Sequence, residues 1–532
     1  MGTYVNPGNE GFRFILRGEY VDKTPLLMVF SASLETPGML VLVSRPRRFG
    51  KSYAAKMISA FFSAGCDSRQ LSQNLRIADA PNWDARMNHY NAISLDMAAM
   101  MQASSDSTVV SEVSRVLLPE LREIYAGAGA RDAGYDIELK SALLDVVRLT
   151  GRKFVFVIDE WDALHRLAQK NEESQRVYAD WLRALFKGNS FTSEAIAGAY
   201  LTGILPMKKY AHQSAVSDFR EYTMVDPLSY APYMGFTGEE VKALCTRHKL
   251  DLADVRRWYD GYMLRGADGF YDVYAPYSVM QACERGRTGS YWVSTEAYES
   301  LRPYIEMDFD GLQQDLVRAI GGASVAVDAD GFQNDMTTIL TKDDVLTLLV
   351  HLGYLAYDAQ ARTVRVPNDE VRGELARAVK RSRHPKLVAI MRESSQLLED
   401  VLAGREDAVA AGFAHVHERD CSPLFYNNEQ ALRSVVRSAL VALVDGYVRV
   451  EELPAGKGFA GMVYLPSSGS QKPALLVELK WNKPVDAAIE QIAERGYPEP
   501  LRGLDVSILA VGVTYDAKTK QHSCRIEVLD CE

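Results

Sequence analysis

Lys51 and Ser52 close the run Met39-Leu-Val-Leu-Val-Ser-Arg-Pro-Arg-Arg-Phe-Gly-Lys-Ser52, and an ammonium beside a hydroxyl after glycine suits phosphate binding. Lys51 supplies a point charge, and the Ser52 hydroxyl can hold Mg²⁺. Backbone N–H groups of the loop Arg45, Pro46, Arg47, Arg48, Phe49, Gly50, Lys51, Ser52 would face the phosphates, together with the N-terminus of the next helix. The pattern wants glycine where Arg45 stands. Arginine enters a left-handed turn less cheaply than glycine, and Pro46 fixes the next φ, so a differently shaped loop is predicted.

A second run, Lys153-Phe-Val-Phe-Val-Ile-Asp-Glu160, ends an apolar strand pattern in two carboxylates. On a parallel strand beside the strand of the phosphate loop, Asp159 would join the Mg²⁺ shell and Glu160 could polarise an attacking water. Alone, such a pair is as readily a solvated strand end; beside a phosphate loop it reads as nucleotide chemistry. Thr202 ends another apolar run, where a polar side chain can sense the γ-phosphate or simply finish a strand. Far along the chain, Glu478-Leu-Lys480 puts a carboxylate and an ammonium on one face of a strand. Glu478 could hold a divalent metal, while Lys480 orients water and offsets charge in phosphodiester cleavage. A solvated strand face is the commoner meaning of that triplet, but its apolar neighbours place it on a central strand.

The elements that must position these residues alternate. Strands are expected at Met39–Val43, Asn91–Leu95, Phe154–Ile158 and Ala197–Thr202, with helices at Tyr53–Phe62, Lys140–Leu149 and Gln175–Phe186. That order means an α/β domain, residues 1–234, with a parallel sheet covered on both faces. Residues 235–398 follow as a helical region. Thr237 and Glu240 predict a capped helix start, and the aromatics of Trp258-Tyr-Asp-Gly-Tyr262 read first as packing against the domain before them. Asp343–Tyr357, Thr363–Pro367 and Glu370–Arg383 give helix, short hairpin and helix, a winged-helix pattern that grips DNA in some proteins and only packs in others. Residues 399–532 hold a helix from Asn428 to Leu440, strands at Tyr447–Glu451, Met462–Leu465 and Ala474–Lys480, a helix Pro484–Arg495 carrying Gln491, and strands at Val506–Val513 and Ser523–Val528.

The bulk numbers bound the rest. A chain of 532 residues with 47% hydrophobic and 24% charged residues is an ordinary globular protein of about three domains. Its net charge of −10 means that any nucleic-acid contact needs a local basic surface. There is neither a charged-then-apolar leader nor an apolar run of membrane-spanning length, which predicts a cytoplasmic protein off the membrane. The six cysteines lack Cys-x-x-Cys spacing and read as free thiols, with Cys524 and Cys531 the one candidate pair.

Arg45-Pro-Arg-Arg-Phe-Gly-Lys-Ser52, Val157-Ile-Asp-Glu160, Thr202-Gly203, Trp258-Tyr-Asp-Gly-Tyr262 and Leu352-Gly-Tyr-Leu355 resemble the bacterial AAA-ATPase-like proteins that carry a C-terminal PD-(D/E)XK nuclease-like domain. Asn427-Asn-Glu-Gln-Ala-Leu-Arg433, Glu452–Gly458, Lys472–Asn482 and Gln491-Ile492 resemble that domain, so the likeness covers nearly the whole chain. It implies a P-loop ATPase fold, a restriction-endonuclease-like α/β domain, ATP with Mg²⁺ (Mn²⁺ as a substitute), and nucleic acid, DNA ahead of RNA, as partner. A homo-oligomer is left open, because the sequence does not fix the oligomeric state. Arginine at the first loop position is usual in that family. Glu429, Glu478, Lys480 and Gln491 would line the nuclease-like pocket, with Glu429 and Glu478 on the metal. The likeness further implies Gly-x-Gly-x-x-Asp, its Asp the main metal ligand two strands' width from Glu478. This chain reads Gly456-Lys-Gly-Phe-Ala-Gly461, and glycine offers no ligand. Two readings stand: an ATP-gated nuclease weakened at Gly461, or a nucleotide switch whose last domain only binds. Arg220 is a candidate arginine finger, with a surface ion pair as its plainer role.

Overall fold

The computed structural model describes residues 1–103, 109–126, 135–167, 171–187, 190–207, 218–292, 296–307, 309–332, 339–420, 428–444, 446–455, 458–466, 472–495, 497–498 and 506–529. Two compact units emerge: residues 1–291 with 327–362, and residues 292–326 with 363–532. These do not follow the boundaries at 234 and 398 drawn from sequence.

The first unit is built on a parallel sheet of β1 (Leu40–Ser44), β2 (Asn91–Asp96), β3 (Phe154–Asp159), β4 (Ile196–Gly203) and β5 (Arg220–Tyr222), in the order β2-β3-β4-β1-β5. Leu40, Leu42, Phe154, Phe156 and Ile158 join one core, while Val41, Val43, Val155 and Val157 join another. Both faces are therefore covered, as continuous apolar runs require. One expectation is corrected: β3 does not lie beside β1, because β4 inserts between them and pairs with both. Strand order in a sheet is set by crossover connections, which a linear pattern does not reveal. A second correction is β5, absent from the sequence pattern because it is three residues long and only partly buried.

From β1 the chain passes through the loop into α1 (Lys51–Phe62), which buries Ala54, Ala55, Ile58 and Phe62 against the sheet. The expected capping box is present: Glu240 N donates to Thr237 Oγ1 and Thr237 N to the Glu240 carboxylate. Helix Lys342–Leu352 has its own box from Thr341 and Asp344 and ends at left-handed Gly353. Strands Ala356–Asp358 and Thr363–Arg365 follow in the expected order.

The second unit contains α2 (Asp369–Arg381), α3 (Pro385–Leu402) and α4 (Glu429–Ala439). After them come β6 (Tyr447–Ala455), β7 (Gly458–Pro466), β8 (Ala474–Trp481), α5 (Asp486–Glu494), β9 (Ile508–Asp516) and β10 (Gln521–Leu529). The sheet runs β6-β7-β8-β9-β10, with β8 and β9 parallel and the other pairs antiparallel. Leu475, Val477 and Leu479 face one core and Ala474 and Leu476 a smaller one, so alternation carries Glu478 and Lys480 onto the smaller face. Cys421, Cys531 and the Gly456-Lys457 pair lie outside the described residues. Cys66, Cys245, Cys283 and Cys524 are free thiols. Among the described residues, no helix is long and apolar enough to cross a membrane.

Candidate nucleotide site and a second polar cluster

Arg45 is fully buried, and its guanidinium donates to the carbonyls of Ser44 (2.8 Å), Tyr222 (3.0 Å), Thr223 (3.0 Å) and Tyr230 (3.4 Å). The side chain thus ties the end of β1 to the segment after β5, and only its backbone belongs to the loop. Burial lowers its pKa to about 10. His351, on helix Lys342–Leu352, is lowered to about 3 by burial and then by the Arg45 charge, which keeps it neutral. The left-handed positions of the loop are Arg48 (φ 67°) and Gly50 (φ 90°), not Arg45, so the missing first glycine is not a strained one.

Pro46 is buried; Arg47 and Arg48 are exposed. Arg48 lies 4.3 Å over the Tyr277 ring and donates to the Tyr291 carbonyl. Phe49 is buried, meets Tyr262 edge-on at 5.4 Å, and accepts from Gly235 N through its carbonyl. Tyr262 in turn donates to the Gly353 carbonyl at 2.6 Å. The aromatic stretch around Tyr262 therefore packs on the loop, as the sequence suggested.

Lys51 is buried, and its ammonium donates to the carbonyls of Arg45 (3.0 Å) and Pro46 (2.9 Å). Burial lowers its pKa, against the pull of Glu160, Asp159 and Asp162. Ser52 is exposed at the start of α1. Asp159, at the end of β3, accepts through Oδ1 from the Thr202 hydroxyl and from Glu160 N. Because β4 lies between β1 and β3, Thr202 stands between the loop strand and the carboxylate strand, bonded to Asp159.

Asp159's second carboxylate oxygen and the Ser52 hydroxyl are the donors offered to a cation. Among the described residues, no three His, Cys, Asp or Glu side chains converge into a metal cage. This set fits an Mg²⁺ held by one carboxylate, one hydroxyl and the nucleotide's own phosphates.

Two residues not singled out in the sequence complete the site. Glu160 adopts φ 54° and pairs with Arg166. Arg166 also donates to Asp162 at 3.1 Å, and the same Asp162 oxygen accepts from Ile204 N (3.0 Å) and Leu205 N (2.9 Å), just past β4. Burial raises the Glu160 pKa, with Arg166 and Lys51 opposing. Asp162 precedes helix Ala163–Leu167, which carries Arg166, and their spacing of four was the available signal. Arg220, the arginine-finger candidate, lies against Gly38 at the end of β1 away from the loop.

In the second unit, Lys480 Nζ donates to Glu478 Oε1 (2.9 Å) and Gln491 Oε1 (2.6 Å), and Gln491 Nε2 donates to Glu478 Oε1 and Tyr497 Oη. Burial raises the Glu478 pKa, opposed by Lys480. Gly461 lies on β7, the strand next to β8 rather than two strands away, because Met462 pairs with Val477. A Cβ on Gly461 would stand 2.9 Å from Glu478 Oε2, so position 461 does point at the carboxylate. Arg433, on α4, donates to the Gly461 carbonyl at 3.1 Å. Glu429 is exposed on the first turn of α4 and adds to the rise at Glu478. One inward carboxylate, with Oε1 already taken by Lys480 and Gln491, does not make a divalent-metal site.

Over nearly its full length the chain is similar to an uncharacterized protein in the vnfD 5' region of Azotobacter chroococcum, 24% identical over 543 residues and covering 96% of each chain. Solved structures with likeness include the Walker-type ATPase paby2304 of Pyrococcus abyssi (13% identity, TM-score 0.30, 66% of this chain and 94% of that one). The ORC2 protein of Aeropyrum pernix is another (13% identity, TM-score 0.27, 67% and 93%). Residues 8–211 match the family model described as a predicted AAA-ATPase. That stretch holds β1 to β4, the loop Arg45–Ser52, Asp159 and Thr202, and over it the chain is similar to predicted AAA-ATPases.

Proposed function

We propose that the protein hydrolyses ATP and uses the cycle to gate a nuclease-fold domain, residues 399–532, that holds nucleic acid and cuts it weakly or not at all. The observation that carries the first half is the convergence of Lys51, Ser52, Asp159 and Thr202 at the ends of β1, β3 and β4. Lys51 would exchange two backbone carbonyls for phosphate oxygens, and Ser52 with Asp159 would hold Mg²⁺. Bound there, the ion would offset the negative charge of the phosphates. Glu160 would take the proton of the attacking water, and Thr202 would report on the γ-phosphate through Asp159.

The second half is supported by the order α4-β6-β7-β8-α5-β9 with Glu478, Lys480 and Gln491 meeting on the central strand. Gly461 argues for lost cleavage, since a position aimed at Glu478 Oε2 carries no ligand. The same closed polar cluster favours the alternative, a nucleotide-switched binding protein without nuclease activity. The test is a plasmid-nicking assay on the chain and on Gly461→Asp, with Mg²⁺ or Mn²⁺ and with or without ATP. ATP-stimulated nicking by Gly461→Asp alone is the expected result. Nicking by neither, with ATP still bound, would leave the switch.

A further inference from the structure

The chain has a net charge of −10, yet between Glu374 and Glu393 it holds Arg377, Lys380, Arg381, Arg383, Lys386 and Arg392 and no carboxylate. The second unit turns these side chains outward. α2 buries Val371, Leu375, Ala378 and Val379, and α3 buries Leu387, Ile390 and Leu397. All six cations are exposed. The turn joining the two helices is fixed, because Ser382 Oγ and Arg383 N both donate to Glu306 Oε1 at 2.9 Å. Pro385 pre-sets the first turn of α3.

Folding explains part of this charge. Arg377 pairs with Glu374, and Lys380 with Arg381 sits at the C-terminal end of α2, where the helix dipole favours cations. Past the turn the dipole acts the other way. Arg383 and Lys386 flank the N-terminal end of α3, where the dipole opposes positive charge. Continuing a cationic run across that boundary disfavours the helix, whereas a polyanion lying along it would be held by charge from both sides of the turn.

We propose that the α2–α3 elbow is the phosphate-backbone contact for nucleic acid, made by Lys380, Arg381, Arg383 and Lys386. This rests on the nucleic-acid part of the proposed function and adds where the backbone lies. The contact reads charge rather than sequence, so binding falls steeply with salt.

The experiment measures binding of fluorescein-labelled duplex DNA, single-stranded DNA and RNA to the full chain over a series of KCl concentrations. The comparison is with Lys380→Gln/Arg381→Gln/Arg383→Gln/Lys386→Gln, with Lys518→Gln/Lys520→Gln in the exposed β9–β10 turn as control. Retained ATP binding and an unchanged thermal melt report that each variant is folded. The fourfold variant should bind duplex at least about tenfold more weakly at low salt, with a log–log salt slope shallower by roughly three to four. Arg383→Gln/Lys386→Gln should show about half that change in slope, which keeps the test decisive if the fourfold variant does not fold. The control should match the parent. Parent-like affinity and slope in the elbow variants would overturn this surface and leave the proposed function standing. No binding by the parent chain, with ATP still bound, would remove nucleic acid from the proposed function and this surface with it.

Discussion

Lys51 in one unit and Lys480 in the other are each buried within a polar cluster, and the two are held in opposite ways. Lys51 rests on two neutral carbonyls of its own loop, with Asp159, Glu160 and Asp162 near enough to act on its charge. Those carbonyls are acceptors that an incoming phosphate can replace. Lys480 sits in a closed triangle with Glu478 and Gln491, where each partner satisfies another. The first arrangement is poised to trade protein contacts for ligand contacts; the second is already complete. Burial alone does not identify a site that turns over ligand. What distinguishes one is whether its charges are neutralised by groups that can leave.

The sharpest way to break this comparison is to remove each lysine in turn. Lys51→Ala should weaken nucleotide binding by about a hundredfold or more, since a charge-assisted contact to phosphate is lost. Its melting temperature should hold or rise, because a lysine whose pKa is lowered by burial is penalised in the folded state when charged. Calorimetric titration with ATP and a thermal melt separate the two effects. Unchanged ATP affinity would end the assignment of the loop.

Lys480→Ala should do the reverse, leaving ATP affinity alone and destabilising the fold by about 3 kcal/mol near neutral pH, because a buried carboxylate loses its cation. The sign with pH follows from Glu478. Its folded pKa is raised, so the ionised form is the disfavoured one in the fold. As pH falls through that raised value, Glu478 takes a proton and no longer needs Lys480. The deficit of Lys480→Ala against the parent should therefore be largest at neutral pH and shrink on acidification. Denaturant melts across pH would show this; a pH-independent deficit would mean that Lys480 acts by packing alone.

Much of the frame behind this contrast was legible in sequence. The continuous apolar runs marked β1, β3 and β4 as buried on both faces, and Lys51, Ser52, Asp159 and Thr202 lie at their ends. Alternation along β8 put Glu478 and Lys480 on one face, where they pair. What was not legible depends on three-dimensional neighbours. The type of residue 45 does not say that its side chain turns inward to four carbonyls, nor that the left-handed positions are Arg48 and Gly50. The insertion of β4 between β1 and β3 is a property of crossovers, and β5 is too short for a period to register. Asp162 showed a spacing to Arg166, but its bonds to Ile204 N and Leu205 N join positions far apart in the chain.

That last network gives the smallest effect and the finest test of the open site. Arg166 joins Glu160 to Asp162, and Asp162 is fixed by two amides at the end of the strand that carries Thr202. On the proposed function Arg166, which pairs with Glu160 through Oε2, would position that carboxylate. Glu160→Gln should lower ATP hydrolysis by about a hundredfold or more with binding kept, as loss of a general base does. Arg166→Ala should lower it by about tenfold, with Arg166→Lys recovering part, because orientation is impaired while the base remains. If Arg166 works through Glu160, combining Arg166→Ala with Glu160→Gln should cost no more than Glu160→Gln alone. Additive losses in turnover would mean that Arg166 merely holds the fold around Asp162, and the open site would then position its base by the backbone turn at Glu160.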